Sequence, residues 1–115
     1  MKFTVTMKRN HEFQRLYHKG KSAASPYLAL YCRKCKRDQN RLGFTVGKKV
    51  GCAVRRNRVR RRLREIYRLH EGELNPGYDI VVVARVKAVY AKYGQLEKSF
   101  LSLAEKLGLR KKAEG

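Results

Sequence analysis

Between Arg41 and Arg64 the chain carries ten lysines and arginines and no acid. Seven of these fall in the segment Ala53 to His70, where Val59, Leu63, Ile66 and Tyr67 recur at helical spacing. A helix there can bury only one stripe against the rest of the domain. Its opposite face presents Asn57, Arg61, Arg64 and Arg68 at i, i+4, i+7 and i+11, flanked by Arg58 and Arg60. A solvated helix face ordinarily interleaves Glu with Arg for i,i+4 pairing, and in this segment Glu65 alone offers that. Arginines one turn apart repel one another, so the row costs stability unless a polyanion neutralises it.

The remaining periodicities supply a surface for that stripe. A first helix is expected over Lys8 to Lys19, with Phe13, Leu16 and Tyr17 on one side and Gly20 as its stop. After the break at Ser25-Pro26, Tyr27 to Cys32 reads as a strand. Tyr27, Ala29 and Tyr31 fall on one face and Leu28, Leu30 and Cys32 on the other. Lys36 to Asn40 is expected to be a hairpin loop into a second strand from Arg41 to Lys48, with Leu42, Phe44 and Val46 on one face and an extension through Val50. Asn75-Pro76-Gly77 is a strong turn signal. Asp79 to Ala84 is apolar on both faces, as a central strand covered on at least one side would be. A last helix from Tyr93 to Leu107 carries Leu96, Phe100, Leu103 and Leu107 on one stripe. The order helix, strands, helix, strand, helix predicts an α+β fold, a single-domain α-β sandwich over residues 1–115 with a central sheet. Residues 1–7 and 109–115 are expected to be flexible.

Charge narrows the function. Twenty-nine Lys and Arg against nine Asp and Glu give a formal net charge of +20, which points to a polyanionic partner. Nucleic acid fits best. An anionic membrane surface would need a basic amphipathic helix with spare large hydrophobics, and none is evident. No run of 18 apolar residues is present, and the first residues lack a signal-peptide pattern, so a cytoplasmic protein is expected. Arg outnumbers Lys in the basic helix, and its planar fork suits bidentate phosphate contacts and base stacking. Asn57, neutral among the arginines, can both donate and accept.

Protein-borne catalysis finds little support. Metal-dependent phosphodiester cleavage needs clustered carboxylates, and acid–base cleavage a His pair. The chain has two Asp, Asp38 and Asp79, and its one acidic cluster is Glu71 and Glu73. His11 and His18 share a helical face two turns apart, over ~10 Å along the axis, too far for a shared ion. Cys32 and Cys35 have zinc-like spacing, but a structural site needs four ligands and Cys52 stands alone, so no metal site is expected and the thiols are read as reduced.

The segment Lys48-Lys49-Val50-Gly51-Cys52-Ala53-Val54-Arg55-Arg56-Asn57-Arg58-Val59-Arg60-Arg61-Arg62-Leu63-Arg64-Glu65 resembles the signature of the bacterial ribonuclease P protein component, with Arg56-Asn57-Arg58 at its centre. Three further segments match in order: Glu12 to Tyr17 with Gly20-Lys21-Ser22, Arg41 to Val46, and Tyr78 to Arg85. The resemblance covers about residues 8–108.

The resemblance implies a non-catalytic protein cofactor of a ribonucleoprotein endoribonuclease. The RNA subunit, using Mg²⁺, removes the 5′ leader of precursor tRNA, and the protein assists as a monomer in a one-to-one complex. It also implies a left-handed crossover around the Arg-rich helix. Contact with the RNA subunit is expected from Lys48, Lys49, Arg55, Arg56, Asn57, Arg58, Arg60, Arg61, Arg64 and Arg68. The leader is expected in a cleft between the first helix and the sheet, on Phe13, Tyr17 and Tyr31; Tyr17 stands where the family commonly has Phe. Exposed aromatics beside basic groups can stack unpaired bases. A structural RNA-binding protein, such as a ribosomal protein or RNA chaperone, fits composition and fold class equally well. Only the order of the motifs separates the two.

Overall fold

The computed structural model describes residues 4–111. Eight regular elements follow in order: β1 Thr4–Thr6, α1 Asn10–Lys19, β2 Lys21–Ala24, β3 Leu28–Lys34, β4 Asn40–Thr45, α2 Ala53–His70, β5 Tyr78–Ala84 and α3 Tyr93–Lys106. Short 3-10 turns span Lys48–Val50, Glu71–Glu73 and Val86–Val89. The strands form one sheet in the order β1-β4-β5-β3-β2. β4 is parallel to both β1 and β5, whereas β3 is antiparallel to both β5 and β2. Parallel neighbours need a crossover connection, and α2 supplies it between β4 and β5.

The expected hairpin between β3 and β4 does not form, because β5 lies between them. The reason lies in β5 itself: Ile80, Val81 and Val82 are at most 1% exposed, so this strand needs cover on both faces and takes the centre. The 35–39 loop instead passes over the start of β5. There the Cys35 N–H donates to the Gly77 carbonyl at 2.7 Å. Gly77 has φ +89°, and a Cβ on it would lie 2.8 Å from the Arg37 carbonyl oxygen, so both backbone conformation and space require glycine. The strand expected to run on through Val50 stops at Thr45, and Lys48–Val50 is a 3-10 turn leading into α2.

Strand alternation divides the interior in two. Leu28, Leu30 and Cys32 of β3, Leu42 of β4, and Ile80 and Val82 of β5 face α2 and α3. α2 contributes Val59, Leu63, Ile66 and Tyr67, and α3 contributes Leu96, Phe100 and Leu103. Tyr67 and Phe100 meet edge to face at 6.1 Å. On the other face a smaller cluster of Met7, Leu16 and Val81 is overlaid by Phe13, Tyr17, Tyr31 and Val83. Helices therefore cover both faces, α1 on one and α2 with α3 on the other. Tyr27 departs from expectation: β3 begins only at Leu28, and Tyr27 packs on the α3 side rather than beside Tyr31.

Where they are described, both chain ends are tied into the fold. β1 pairs in parallel with β4, and Met7 is 3% exposed. A buried polar network holds it there. Thr4 Oγ1 lies 2.8 Å from the Tyr67 hydroxyl and also donates to Glu71. Asn40 Nδ2 donates to the same Tyr67 hydroxyl while Asn40 Oδ1 accepts from the Tyr78 N–H. At the other end Leu109 is fully buried, its carbonyl accepts from Asn75 N–H, and Lys111 N–H donates to Glu73 O. Residues 1–3 and 112–115, included in the flexible ends by the sequence reading, lie outside the described residues. No helix among the described residues is long and apolar enough to cross a membrane.

Candidate nucleic-acid interface

The buried residues of α2 are the four its periodicity singles out, Val59, Leu63, Ile66 and Tyr67. With that stripe on the sheet, Arg55, Asn57, Arg58, Arg61, Arg64 and Arg68 are exposed, and Arg56 and Arg60 are half-buried. Lys48 and Lys49, also exposed, extend the basic surface from the 3-10 turn ahead of the helix. All ten expected RNA-subunit contacts thus lie along one helix and its lead-in turn, each at least partly accessible.

Their hydrogen bonds differ. Asn57 Oδ1 accepts from Arg60 Nη1 at 3.0 Å, so the neutral residue orients a guanidinium. Arg68 donates to both Glu65 oxygens, at 3.1 and 2.6 Å, which holds the Glu65 carboxyl below its ordinary pKa. Arg56 Nε is buried and has no hydrogen-bond partner among the described residues. Cys52 caps α2 and is exposed. Backbone N–H groups of the first turn, Arg55 foremost and then Val54, pull its thiol pKa below the ordinary value.

Most of the acids are committed elsewhere. Arg41 grips Asp79 through Nε and Nη2 at 2.8 and 2.7 Å and Glu12 through Nη1. That bidentate hydrogen bond to Asp79 pushes the Arg41 pKa up despite partial burial. Arg41, one of the ten basic residues of the acid-free stretch, therefore serves to pin α1 to the sheet. His70 bridges Glu73 and Glu97, and Arg110 reaches Glu73 and Glu105. These acids gather where the end of α2 meets α3 and the carboxy-terminal segment, which leaves the rest of α2 with Glu65 as its single acid.

On the opposite face of the sheet, Phe13, Tyr17 and Tyr31 come together. The Tyr17 and Tyr31 rings meet edge to face at 4.9 Å, and the Tyr17 hydroxyl shares a hydrogen bond of 2.7 Å with Thr45 Oγ1. Phe13 lies directly over Gly43, where a Cβ would stand 2.5 Å from its ring. The three rings are half-buried, neither core nor free. Beyond α1 the sheet floor is low. Ser22 and Ala24 of β2 stand opposite Tyr31 and Ala29 of β3, and both are exposed. Arg33 shares the Tyr31 face and is also exposed. Aromatic rings, small side chains and a cation thus share this face of the sheet.

Among the described residues, no group of three or more His, Cys, Asp and Glu is placed to hold a metal ion. His11 and His18 are exposed on α1, Cys32 is buried in β3, and Asp79 is occupied by Arg41.

Two residues outside the expected set adjoin the basic face of α2. Arg62 is half-buried and its Nη1 donates to the Ala91 carbonyl at 3.3 Å. Tyr90, just after the Val86–Val89 turn, is 76% exposed beside Arg55, Arg58 and Arg62. A lone aromatic in an aperiodic stretch gives no signal that spacing could detect.

The ribonuclease P family model matches residues 1–108. The chain is 42% identical over 108 residues to the ribonuclease P protein component of Natranaerobius thermophilus, covering 94% of each chain. It is 44% identical over 104 residues to that of Clostridioides difficile, covering 90% of this chain and 91% of the relative. The structure superposes on the Staphylococcus aureus RNase P protein with TM-score 0.85 at 33% identity, covering 93% of this chain and 98% of that one. The Thermotoga maritima RNase P protein gives TM-score 0.78 at 32% identity, covering 84% and 92%. A match of this extent, in sequence and in fold, means that the chain belongs to the ribonuclease P protein family.

Proposed function

We propose that this chain is the RNA-binding protein subunit of ribonuclease P and assists a catalytic RNA without cutting the substrate itself. The observation that carries the reading is the outward face of α2, whose arginines have Glu65 as their one acid on the helix. Lys48, Lys49, Arg55, Arg56, Asn57, Arg58, Arg60, Arg61, Arg64 and Arg68 meet the RNA subunit. Their guanidinium and ammonium groups replace condensed counterions on its phosphates. Across the sheet, Phe13, Tyr17 and Tyr31 receive the single-stranded 5′ leader of precursor tRNA. Ring faces stack on bases while nearby cations attract the backbone.

In this reading the RNA subunit supplies the Mg²⁺ on which hydrolysis depends, and the protein contributes charge neutralisation and leader positioning. Removing phosphate repulsion lets the RNA fold and hold its substrate with less free cation. The protein acts in the cytoplasm as a monomer in a one-to-one complex with the RNA.

The test is cleavage of a precursor tRNA by a bacterial ribonuclease P RNA at low Mg²⁺, with and without the protein. The expected result is an inert protein alone and restored cleavage at the mature 5′ end on mixing. Salt-sensitive binding with no effect on cleavage would instead mark a general RNA-binding protein.

A further inference from the structure

Among the described residues no phenylalanine or tyrosine other than Tyr90 is exposed. It is 76% accessible, whereas every other described Phe and Tyr ring is at least half covered. Its backbone is nonetheless fixed. The Tyr90 N–H donates to Lys87 O at 3.2 Å, the flanking Ala88 and Ala91 are buried, and Arg62 Nη1 grips the Ala91 carbonyl. The ring therefore projects into solvent from a turn held by these bonds.

Beside it is a recess of about 220 Å³ lined by Arg55, Arg58, Val59, Arg62, Val89 and Tyr90. Among the described residues no ion pair engages Arg55, Arg58 or Arg62. The recess thus joins an aromatic face to convergent guanidinium groups. A paired stretch of RNA offers a protein its phosphates and the edges of its bases, and would use the arginines alone. An unpaired nucleotide offers a free π face together with a phosphate, and uses both. At about 220 Å³, the recess between α2 and the turn is on the scale of a single nucleobase.

We propose that this recess captures one unpaired nucleotide of the RNA subunit, its base stacked on Tyr90 and its phosphate held by Arg55 and Arg58. The inference rests on the reading that α2 docks on that RNA, and it adds a base-recognising contact to a surface otherwise read as binding phosphate. Arg62 is a positioning residue, because it fixes the turn that carries Tyr90.

The experiment uses the full chain and a transcribed bacterial ribonuclease P RNA, with affinity measured across a salt series for the parent chain, Tyr90→Ala, Tyr90→Phe and Arg58→Ala. Loss of one stacked base predicts an affinity reduced about 5- to 150-fold for Tyr90→Ala, with an unchanged salt slope because no phosphate contact is lost. Tyr90→Phe keeps the ring and is expected to bind like the parent. Since the chain has no tryptophan, Tyr90→Trp introduces a single indole reporter, whose emission is expected to be quenched when the RNA stacks on it. Tyr90→Ala binding as tightly as the parent, while Arg58→Ala still weakens binding, would overturn the nucleotide pocket and leave the function intact. If the parent chain fails to bind the RNA in a salt-dependent way, the proposed function falls and the pocket with it. A single-stranded leader oligonucleotide is the comparison ligand. If Tyr90→Ala weakens its binding while binding of the RNA subunit is unchanged, the assignment to the RNA subunit is refuted.

Discussion

Tyr17 on α1 and Tyr31 on β3 meet edge to face, with ring centroids 4.9 Å apart and planes 75° apart. The contact joins the first helix to the sheet, yet neither ring is fully buried, so each keeps area for a third partner. The Tyr17 hydroxyl bond to Thr45 Oγ1 fixes the ring against the sheet. Truncating Tyr17 to Ala is expected to weaken precursors carrying a long leader by about 1–3 kcal/mol, the loss of one stacked base. Leaderless tRNA and the RNA subunit are expected to bind as before. Tyr17→Phe keeps the ring and loses only the hydroxyl bond, so it is expected to retain most of the leader affinity. Equal losses with and without the leader would refute the assignment of this face to the leader.

The α2 arginines differ in what the protein itself does with them. Arg68 shares its charge with Glu65, whereas Arg58 engages in no ion pair among the described residues. Arg58→Ala is expected to weaken the RNA subunit and flatten the log–log salt slope by about 1, as loss of one phosphate contact does. Arg68→Ala frees Glu65 as well as removing a cation, so its effect mixes lost attraction with a new repulsive carboxylate. Removing both Arg68 and Glu65 is expected to restore part of that loss. Titrations at several salt concentrations distinguish these outcomes, and an unchanged slope for Arg58→Ala would exclude a direct phosphate contact.

Arg41 is a structural cation within a stretch that looks, in sequence, like a binding surface. Its guanidinium joins Glu12 of α1 to Asp79 of β5 with side chains 13–19% exposed. Arg41→Met leaves two carboxylates close together and short of solvent. Breaking a fully buried pair costs about 3–5 kcal/mol, and this partly solvated triad is expected to lose somewhat less. The denaturation midpoint should fall, and replacing Glu12 and Asp79 by Gln and Asn as well should recover much of it. A midpoint unmoved by Arg41→Met would show the triad to be energetically idle.

Much of this architecture is legible in the sequence, and the parts that are not share a cause. The α2 and α3 stripes repeat with the period of a helix, and the unbroken apolar run around Ile80–Val82 marks a strand buried on both faces, so burial follows from the local pattern alone. β1 and β2 are edge strands of three and four residues, mostly polar or small, with no alternation to read. What secures β1 is a long-range network of Thr4, Tyr67 and Glu71, which no local window contains. Strand order is invisible for the same reason, since β5 enters between β3 and β4 from nearly forty residues downstream of β4. In the candidate interface the arginine row was readable from charge and period, and the aromatic cluster only through family resemblance. Tyr90 was not, because its significance comes from α2 lying beside it.

Cys52 offers a footprint of the interface. It stands exposed at the start of α2, with its thiol pKa lowered by backbone N–H groups of Arg55 and Val54 and by the Arg55 charge. More of it is thiolate near neutral pH than an ordinary cysteine would be, so it is expected to alkylate ahead of buried Cys32. Binding of the RNA subunit should slow that reaction several-fold by occlusion. Mass spectrometry of peptides after a brief iodoacetamide pulse measures it. Equal Cys52 labelling with and without saturating RNA would place the RNA away from this end of α2.

His70, at the end of α2, lies between Glu73 and Glu97 and ties the helix to α3. Burial works to lower its pKa, but the hydrogen bonds it donates to Glu73 and Glu97 together outweigh that, and the net shift is upward from 6.5. Glu73 moves the other way, below 4.5, chiefly through its hydrogen bond from His70. A histidine with a raised folded pKa contributes stability that is fully present below its unfolded value and is lost as pH rises through the folded one. A carboxylate with a depressed pKa contributes stability present above its unfolded value and lost as pH falls through the folded one. The bridge is therefore expected to be strongest between about 4.5 and 6.5 and to weaken as pH rises beyond that window. His70→Gln keeps a hydrogen-bonding side chain but cannot become charged. Denaturant melts across pH 5–9 should show the parent losing stability relative to His70→Gln as pH rises, because only the parent has a charge to lose. Parallel pH profiles for the two chains would mean that the His70 charge contributes nothing to holding α2 on α3.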